Sequence, residues 1–288
     1  LTISFAENHT IILKDLEKYR FITHLGTRIE MDETLIKKEL LNEIKGLYLA
    51  KEVNRIYKLV RGYGTDLVAA NLMKTKLSIS IVTDKESWIN DYIPFFIKKT
   101  EKSCHKVTWI HEIKEVPSGD ICILLGCGQF MGKNIRNKNK NNIVVHESAL
   151  PKGKGWSPLT WQILEGKNII PITLFEAEEE IDSGEIYFQE QMIFEGYELI
   201  GEMRKVQAQY SLDLCEKFIN EYPSVIKRSK KQEGESSFYK KRGSENSEIE
   251  AGKALSENFN LLRTVDNECY PAFFYHKGHK YKLKIEKY

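Results

Sequence analysis

The sequence lacks any long hydrophobic run. No stretch approaches the roughly 18 to 20 apolar residues of a membrane-spanning helix, and no signal-peptide pattern opens the chain. The five cysteines include no C-x-x-C pair, and Cys122 and Cys127 are interpreted as buried small hydrophobic residues. These absences predict no membrane partner and no metal site. Reduced thiols favour a cytoplasmic location, which we predict.

The sequence also lacks an excess of charge of either sign. Its 43 basic and 41 acidic residues give a formal net charge of +2. A dedicated nucleic-acid binder usually shows a clear basic excess, so nucleic acid is not the favoured partner, although a local basic patch stays open. A glycine-rich G-x-G-x-x-G loop is missing as well, because Thr83 to Glu86 follow the first predicted strand. A dinucleotide cofactor is therefore not expected.

The 288 residues divide by pattern into four parts. In residues 1–74, apolar side chains between Leu35 and Val60 recur at three- and four-residue steps, which predicts a packing helix in a segment of unknown role. Residues 75–223 alternate apolar strands with helices. Residues 224–249 are rich in lysine and arginine and are interpreted as a basic linker or loop. Residues 250–288 are predicted to form a small unit of one helix and a β-hairpin.

The second part predicts an α/β fold. Apolar runs at 77–82, 107–110, 121–125, 142–145 and 170–175 are predicted strands, and helical patterns cover 88–100, 159–164 and 198–220. In the first of these helices, Trp88, Tyr92, Phe95 and Phe96 are predicted to face inward. Continuous apolar strands separated by helices are typical of a parallel sheet covered on both faces. We therefore predict a Rossmann-like parallel sheet.

Two polar stretches follow strands of this sheet. His146 comes directly after the apolar residues Val144 and Val145, and leads into a loop that contains Pro151, Gly153 and Gly155. Ligands of open α/β sheets bind beyond the carboxyl ends of strands, and histidine transfers protons near neutral pH. Asp182 follows the last predicted strand beside a turn. Either residue alone has a plain structural explanation. Together, they suit a pair in which His146 is the base and Asp182 is the carboxylate that orients it.

These stretches resemble the 10-formyltetrahydrofolate-dependent formyltransferases over residues 76–223. The matching positions are His146, Ser148, Leu150-Pro151, Gly155, Ser157-Pro158 and Asp182-Ser183-Gly184-Glu185-Ile186. The tail is similar to the C-terminal unit of the nucleotide-sugar N-formyltransferases, among them the pseudaminic-acid pathway type. The similarity lies in Phe238 to Arg242, Leu262 to Asp266, and Tyr270 to Phe274.

The resemblance implies transfer of a formyl group from 10-formyltetrahydrofolate to the amine of a nucleotide-linked amino sugar. His146 would stabilise the oxyanion and move protons, and Asp182 would orient it and accept the amine proton. The implied cofactor-binding residues are Gln129, Phe130, Met131, Glu179, Glu180 and Ile181. The implied substrate-binding residues are Ser148, Lys152, Lys154, Trp156, Lys241, Arg242, Phe273 and Tyr275. A methionyl-tRNA formyltransferase-like enzyme, a non-catalytic binding homologue and a homodimeric state all stay open.

One position departs from the family pattern. The family has an asparagine two residues before its histidine, where this chain has Val144. That asparagine would donate a hydrogen bond to the oxyanion, a contribution of about 3 kcal/mol in comparable sites. The expected substitutes are a backbone N–H or the side chain of Gln129. Without a substitute, a slow or degenerate site is expected.

Overall fold

The computed structural model describes residues 76–103 and 105–288. The helix predicted between Leu35 and Val60, and the whole predicted segment 1–74, lie outside these residues. Within the described part, no helix combines the length and the apolar character needed to cross a membrane.

A six-stranded sheet forms the centre of the fold. Its strands are β1 (Ser78–Val82), β2 (Lys106–Ile110), β3 (Gly119–Leu124), β4 (Asn139–His146), β6 (Ile169–Glu176) and β7 (Ile186–Ile193). Their order is β2-β1-β3-β4-β6-β7. The short strands β5 (Lys154–Gly155) and β8 (Phe238–Tyr239) form a separate parallel pair. The predicted α/β class is confirmed.

The sheet is largely parallel, as predicted, with an antiparallel part that the prediction did not include. β1 pairs in parallel with β2 and β3, and β3 with β4, but β6 runs antiparallel to both β4 and β7. The sequence pattern missed β7 altogether. Only Met192 of this strand is buried, so polar residues interrupt the apolar pattern of an edge strand.

Helices pack on the faces of the sheet. They are α1 (Ile93–Lys102), α2 (Lys133–Arg136), α3 (Pro158–Leu164) and α4 (Ile200–Glu221), and a further helix, α5 (Leu255–Thr264), packs against α3. Short 3-10 helices span Trp88–Asp91, Ile113–Glu115, Ser224–Arg228 and Ser244–Ser247. The predicted helix 88–100 is therefore a 3-10 turn followed by α1. Phe96 is buried, but Phe95 is 74% exposed, which corrects its predicted inward position. Adjacent helical residues point about 100° apart, so one packed face does not bury both.

Alternation along the strands builds two apolar layers. Ile79, Ile81, Ile121 and Ile123 pack on one side together with side chains of α1 and α4. The neighbouring residues Val82, Cys122 and Leu124 pack on the other side with Val116 and Met131. Successive strand residues point to opposite faces, so each strand contributes to both layers.

The C-terminal residues contain the predicted hairpin. Strands β9 (Ala272–His276) and β10 (His279–Leu283) pair antiparallel, which confirms it. Lys277 and Gly278 connect them, and both have positive φ, as the tight primed turns of hairpins require.

The basic segment packs against the loop that follows β4. β8 pairs with β5, and the backbone N–H groups of Lys154 and Trp156 donate to the carbonyl oxygens of Ser237 and Tyr239. An added Cβ at Gly155, where φ is +95°, would lie 2.4 Å from the Tyr239 oxygen, so glycine permits this approach. Residues 237–243, called the strap below, are thereby fixed beside His146. Composition indicated only a linker or loop, because a two-residue strand leaves no periodic pattern.

Candidate active site

His146 is the last residue of β4 and is buried. Its Nε2 atom lies 2.8 Å from the Gly153 carbonyl oxygen and 3.7 Å from Oδ2 of Asp182. A carbonyl only accepts hydrogen bonds, so Nε2 carries the hydrogen and donates it. Among the described residues, no group hydrogen-bonds Nδ1 of His146. Nδ1 is therefore the nitrogen that can exchange a proton with a bound molecule.

Asp182 reaches His146 by a route that the sequence analysis did not predict. Because β6 is antiparallel, its end at Glu176 lies level with Ile143 and not at the edge where β4 ends. The loop 177–185 folds back along the sheet, and Oδ2 of Asp182 accepts a hydrogen bond of 2.8 Å from the Gly155 N–H. The Asp182 carbonyl accepts another from Gln232, at 2.9 Å. The structure thus brings the two predicted catalytic residues together.

Two backbone features give this loop its shape. Asp182 has a φ of +52°, a left-handed conformation that aspartate and asparagine tolerate better than most residues. An added Cβ at Gly184 would lie 1.8 Å from the Glu176 carbonyl oxygen. Only glycine permits this close approach, which explains the Asp-x-Gly spacing in physical terms.

A cavity of about 400 Å³ opens at this pair. Val144 and Phe175 supply apolar wall beside His146, and Phe130 and Ile181 line the mouth as exposed apolar side chains. Val144 therefore holds the position expected for the missing asparagine, beside His146, without a polar atom. The cavity thus combines apolar walls with polar and charged side chains, which could fix the orientation of a bound small molecule.

A second cavity of about 300 Å³ shares a wall with the first. The residues common to both cavities are Trp88, Glu147, Trp156, Ser157 and Gln207. The lining of the second cavity also includes Arg204, Lys241 and Arg242. The cavity is thus lined by three cationic side chains, of which Arg204 is paired with Asp266 at 2.8 Å.

The predicted cofactor residues fall mainly on the first cavity. Gln129, Phe130, Met131, Glu180 and Ile181 line it, whereas Glu179 does not and instead lies 3.7 Å from Arg136. Met131 is also buried in the apolar layer that contains Val82 and Leu124.

Gln129 is not available as an oxyanion donor, which corrects that expectation. Its Nε2 donates to Asp84 at 2.9 Å and to the His111 carbonyl at 2.8 Å, and its Oε1 accepts from the Ile113 N–H at 3.0 Å. Both amide hydrogens are therefore used in holding three loops together.

Some of the predicted substrate-binding residues line a cavity and others do not. Trp156 lines both cavities, and Lys241 and Arg242 line the second. Five others line neither cavity, namely Ser148, Lys152, Lys154, Phe273 and Tyr275. Ser148, Lys154 and Phe273 are buried in packing contacts, while Lys152 and Tyr275 are exposed elsewhere on the surface. A substrate role for these five stays a prediction, since motif matching does not show where a side chain points.

Sequence reasoning missed Asp84 and Glu147. Asp84 follows β1 and accepts hydrogen bonds from the Gly128 N–H and from Gln129, which fixes one wall of the first cavity. Its position after a parallel strand was the available signal. Glu147 directly follows His146, and burial raises the pKa of its carboxyl group. Its adjacency to a candidate catalytic histidine was the signal there.

Cys127 also lines the first cavity, but it is not a nucleophile at neutral pH. Burial raises the pKa of its thiol to about 11, so the group stays protonated. In the described part of the chain, no cluster of three or more histidine, cysteine, aspartate or glutamate side chains is arranged to hold a metal ion.

Comparison with known proteins links this site to one family. The family model described as formyl transferase matches residues 75–212. A curated relative, the methionyl-tRNA formyltransferase of Mycoplasma capricolum, is 26% identical over 170 residues, which are 58% of this chain and 53% of that protein. The chain thus matches about half the length of this relative.

Several solved structures, two of them formyltransferases, share the fold of this chain. Methionyl-tRNA formyltransferase from Clostridium thermocellum has a TM-score of 0.60 at 23% identity, covering 73% of this chain and 92% of its own. A sugar N-formyltransferase from Shewanella sp. scores 0.55 at 16% identity, covering 73% and 97%. HypX from Aquifex aeolicus, in complex with tetrahydrofolic acid, scores 0.57 at 15% identity, covering 73% and 38%. At these identities the similarity shows the fold. The family match shows in addition that residues 75–212 are similar in sequence to a formyl transferase domain.

Proposed function

We propose that this chain transfers a formyl group from 10-formyltetrahydrofolate to the amine of a nucleotide-linked amino sugar. The observation that carries the proposal is the His146–Asp182 pair, 3.7 Å apart at a cavity of the region that is similar to a formyl transferase domain. The first cavity would hold the donor, since Phe130 and Ile181 offer apolar surface for its ring system. The neighbour that binds tetrahydrofolic acid supports the choice of donor.

In this proposal each residue of the pair has a task. The amine attacks the formyl carbon, and the carbonyl oxygen becomes an oxyanion. His146 would stabilise that charge and exchange a proton through Nδ1, because Nε2 is held by Gly153. Asp182 would offset the positive charge that His146 gains, as carboxylates beside catalytic histidines do. Since neither Val144 nor Gln129 supplies a donor, a backbone N–H would complete the oxyanion site.

The second cavity supports an anionic acceptor of small size. Lys241 and Arg242 come from the strap and Arg204 from α4, so three cations face one space beside the catalytic pair. Nη1 of Arg242 is buried without a hydrogen-bond partner among the described residues. A phosphate oxygen would satisfy it, since guanidinium groups bind phosphates through paired donors. These features favour a nucleoside diphosphate linked to the amino sugar.

Methionyl-tRNA is the second candidate, because the curated relatives carry that name. A transfer assay separates the two acceptors. The purified chain is supplied with 10-formyltetrahydrofolate and, in parallel, UDP- and dTDP-linked 4-amino sugars and methionyl-tRNA. We expect tetrahydrofolate release to depend on an amino sugar. Release that depends only on methionyl-tRNA would overturn the sugar proposal and retain the formyl transfer.

A further inference from the structure

Glu147 stands where the two cavities meet. It follows His146 at the end of β4 and is one of the residues that line both spaces. Of the carboxylate residues on these walls, it is the one that the two cavities share. Glu147 therefore lies beside a molecule that extends from the second cavity toward His146.

Hydrogen bonds fix this carboxyl group in place. Oε1 accepts a bond of 2.7 Å from Nε2 of Gln207 on α4, and the Glu147 carbonyl accepts one of 2.6 Å from Gln162 on α3. The backbone N–H of Glu147 also donates a hydrogen bond to this carboxyl group. A carboxylate has about four acceptor sites on its two oxygens, so these bonds hold the group in place and leave it able to accept from a bound molecule.

The other carboxylates near the passage are already engaged. Asp84 holds the loop at Gly128, Asp182 holds Gly155 and faces His146, and Asp266 pairs with Arg204. Glu178 and Glu180 are exposed and line the first cavity but not the second.

The reaction requires a base near the acceptor amine. An alkyl ammonium has no lone pair and cannot attack a formyl carbon until it loses a proton. We propose that Glu147 binds the acceptor amine at the junction of the two cavities and takes the proton that frees its lone pair. This inference rests on the proposed formyl transfer and assigns to that reaction a base that is distinct from the His146–Asp182 pair.

The proton balance is complete without a further reactant. The ammonium gives one proton to the Glu147 carboxylate, which later releases it to solvent. The free amine forms the new C–N bond, and the bond between the formyl carbon and the folate nitrogen breaks. The second amine proton passes through His146 to that folate nitrogen, so the products are a formamide, tetrahydrofolate and one proton.

The surroundings of Glu147 suit this task. Burial raises its pKa, while the electrostatic interaction with His146 and the hydrogen bonds from Gln207 and from the Glu147 N–H partly offset that rise. A carboxylate whose pKa moves toward neutrality is a better-matched base. The charged groups that face it across the cavities are His146, Asp182, Asp84, Glu178 and Glu180 on one side, and Arg204, Lys241, Arg242 and Asp266 on the other. Below the Glu147 pKa the carboxyl is protonated and cannot accept, so the rate should fall toward acid pH.

The test uses Glu147→Gln, with Glu216→Gln as the matched control on the far end of α4, where Glu216 pairs with Lys99. Transfer to a dTDP- or UDP-linked 4-amino sugar is measured against pH. Glu147→Gln should lower kcat/KM by at least about a hundredfold. It should also abolish the increase in rate with pH that follows deprotonation of the Glu147 carboxyl. The control should behave as the wild type. Binding of 5-formyltetrahydrofolate, followed by calorimetry, should not change in Glu216→Gln, and Glu147→Gln should still bind this folate, so that its loss of kcat/KM reports the transfer step.

A second variant guards against a merely structural role. Gln207→Leu removes the hydrogen bond that lowers the Glu147 pKa, so the acid limb of the profile should move to higher pH. Unchanged kcat/KM and an unchanged profile in both variants, with an active wild type, would overturn the role of Glu147 alone. A wild type that neither transfers formyl to any amine nor binds the folate would instead overturn the proposed function.

Discussion

At the scale of single residues, the account depends on His146 and Asp182. We expect His146→Ala and Asp182→Asn each to lower turnover by at least about a hundredfold, as the loss of a general acid–base group commonly does. Asn also tolerates the left-handed conformation that Asp182 adopts at a φ of +52°. The loop should therefore keep its shape in Asp182→Asn, and the effect on rate isolates the charge.

Steady-state kinetics beside thermal unfolding checks this prediction. Melting temperatures close to that of the wild type would show that the losses are catalytic. Near-wild-type turnover in either variant would mean that the pair is not the catalytic one.

Val144 provides a separate test at the same scale. Its side chain faces the first cavity and also packs against the apolar layer that contains Leu124. If a backbone N–H already binds the oxyanion, Val144→Asn should bring little gain in rate. It should cost about 1 to 3 kcal/mol of stability, because a polar group enters a partly apolar site.

Chemical unfolding and turnover of the Val144→Asn variant measure both effects. A large gain in rate would contradict the backbone donor, and would show instead a degenerate site that the asparagine restores.

At the scale of elements, the loop 177–185 decides whether the site forms. Gly184→Ala would place a Cβ 1.8 Å from the Glu176 oxygen, so the loop must move and carry Asp182 away from His146. We expect a loss of about 1 to 3 kcal/mol in stability together with a large loss of turnover.

Gly201→Ala is the matched control for this change. Nothing lies within 4 Å of an added Cβ at Gly201, and the residue is in α4, where alanine is favoured over glycine. Its stability should stay equal or rise slightly. Equal behaviour of the two variants in unfolding and turnover would contradict the steric argument.

The elements also show how far the sequence could predict this site. Apolar runs in β1, β3 and β4 and the strand end at His146 could be read directly, because buried parallel strands are almost continuously hydrophobic. The antiparallel direction of β6 could not be predicted from the sequence, because its run of apolar residues is the same in either direction. The position of the strap could not be predicted either, because it depends on contacts such as that of Gly155 with Tyr239. For Glu147, adjacency to His146 was a signal in the sequence, but its contact with Gln207 was not.

At the scale of the whole molecule, charge distinguishes the two acceptors. Three cations at the second cavity suit two or three phosphate contacts, and the formal net charge is only +2. A small number of contacts implies a shallow salt dependence of binding, with a log–log slope near −2, whereas a nucleic-acid complex is much steeper. The measurement is the affinity for UDP, dTDP and uncharged tRNA over a range of salt. Tight, strongly salt-dependent tRNA binding without nucleotide binding would contradict the prediction.

The central claim is that the formyl group itself moves to an amine. It is tested most directly by supplying 10-formyltetrahydrofolate with an isotopically labelled formyl carbon together with the amino-sugar nucleotide, and following the label by mass spectrometry. The account predicts that the label appears in a formamide of the sugar in equal amount to the tetrahydrofolate released, and that Asp182→Asn slows both together. Label recovered as free formate, or retained in the folate while the amine stays unmodified, would contradict it.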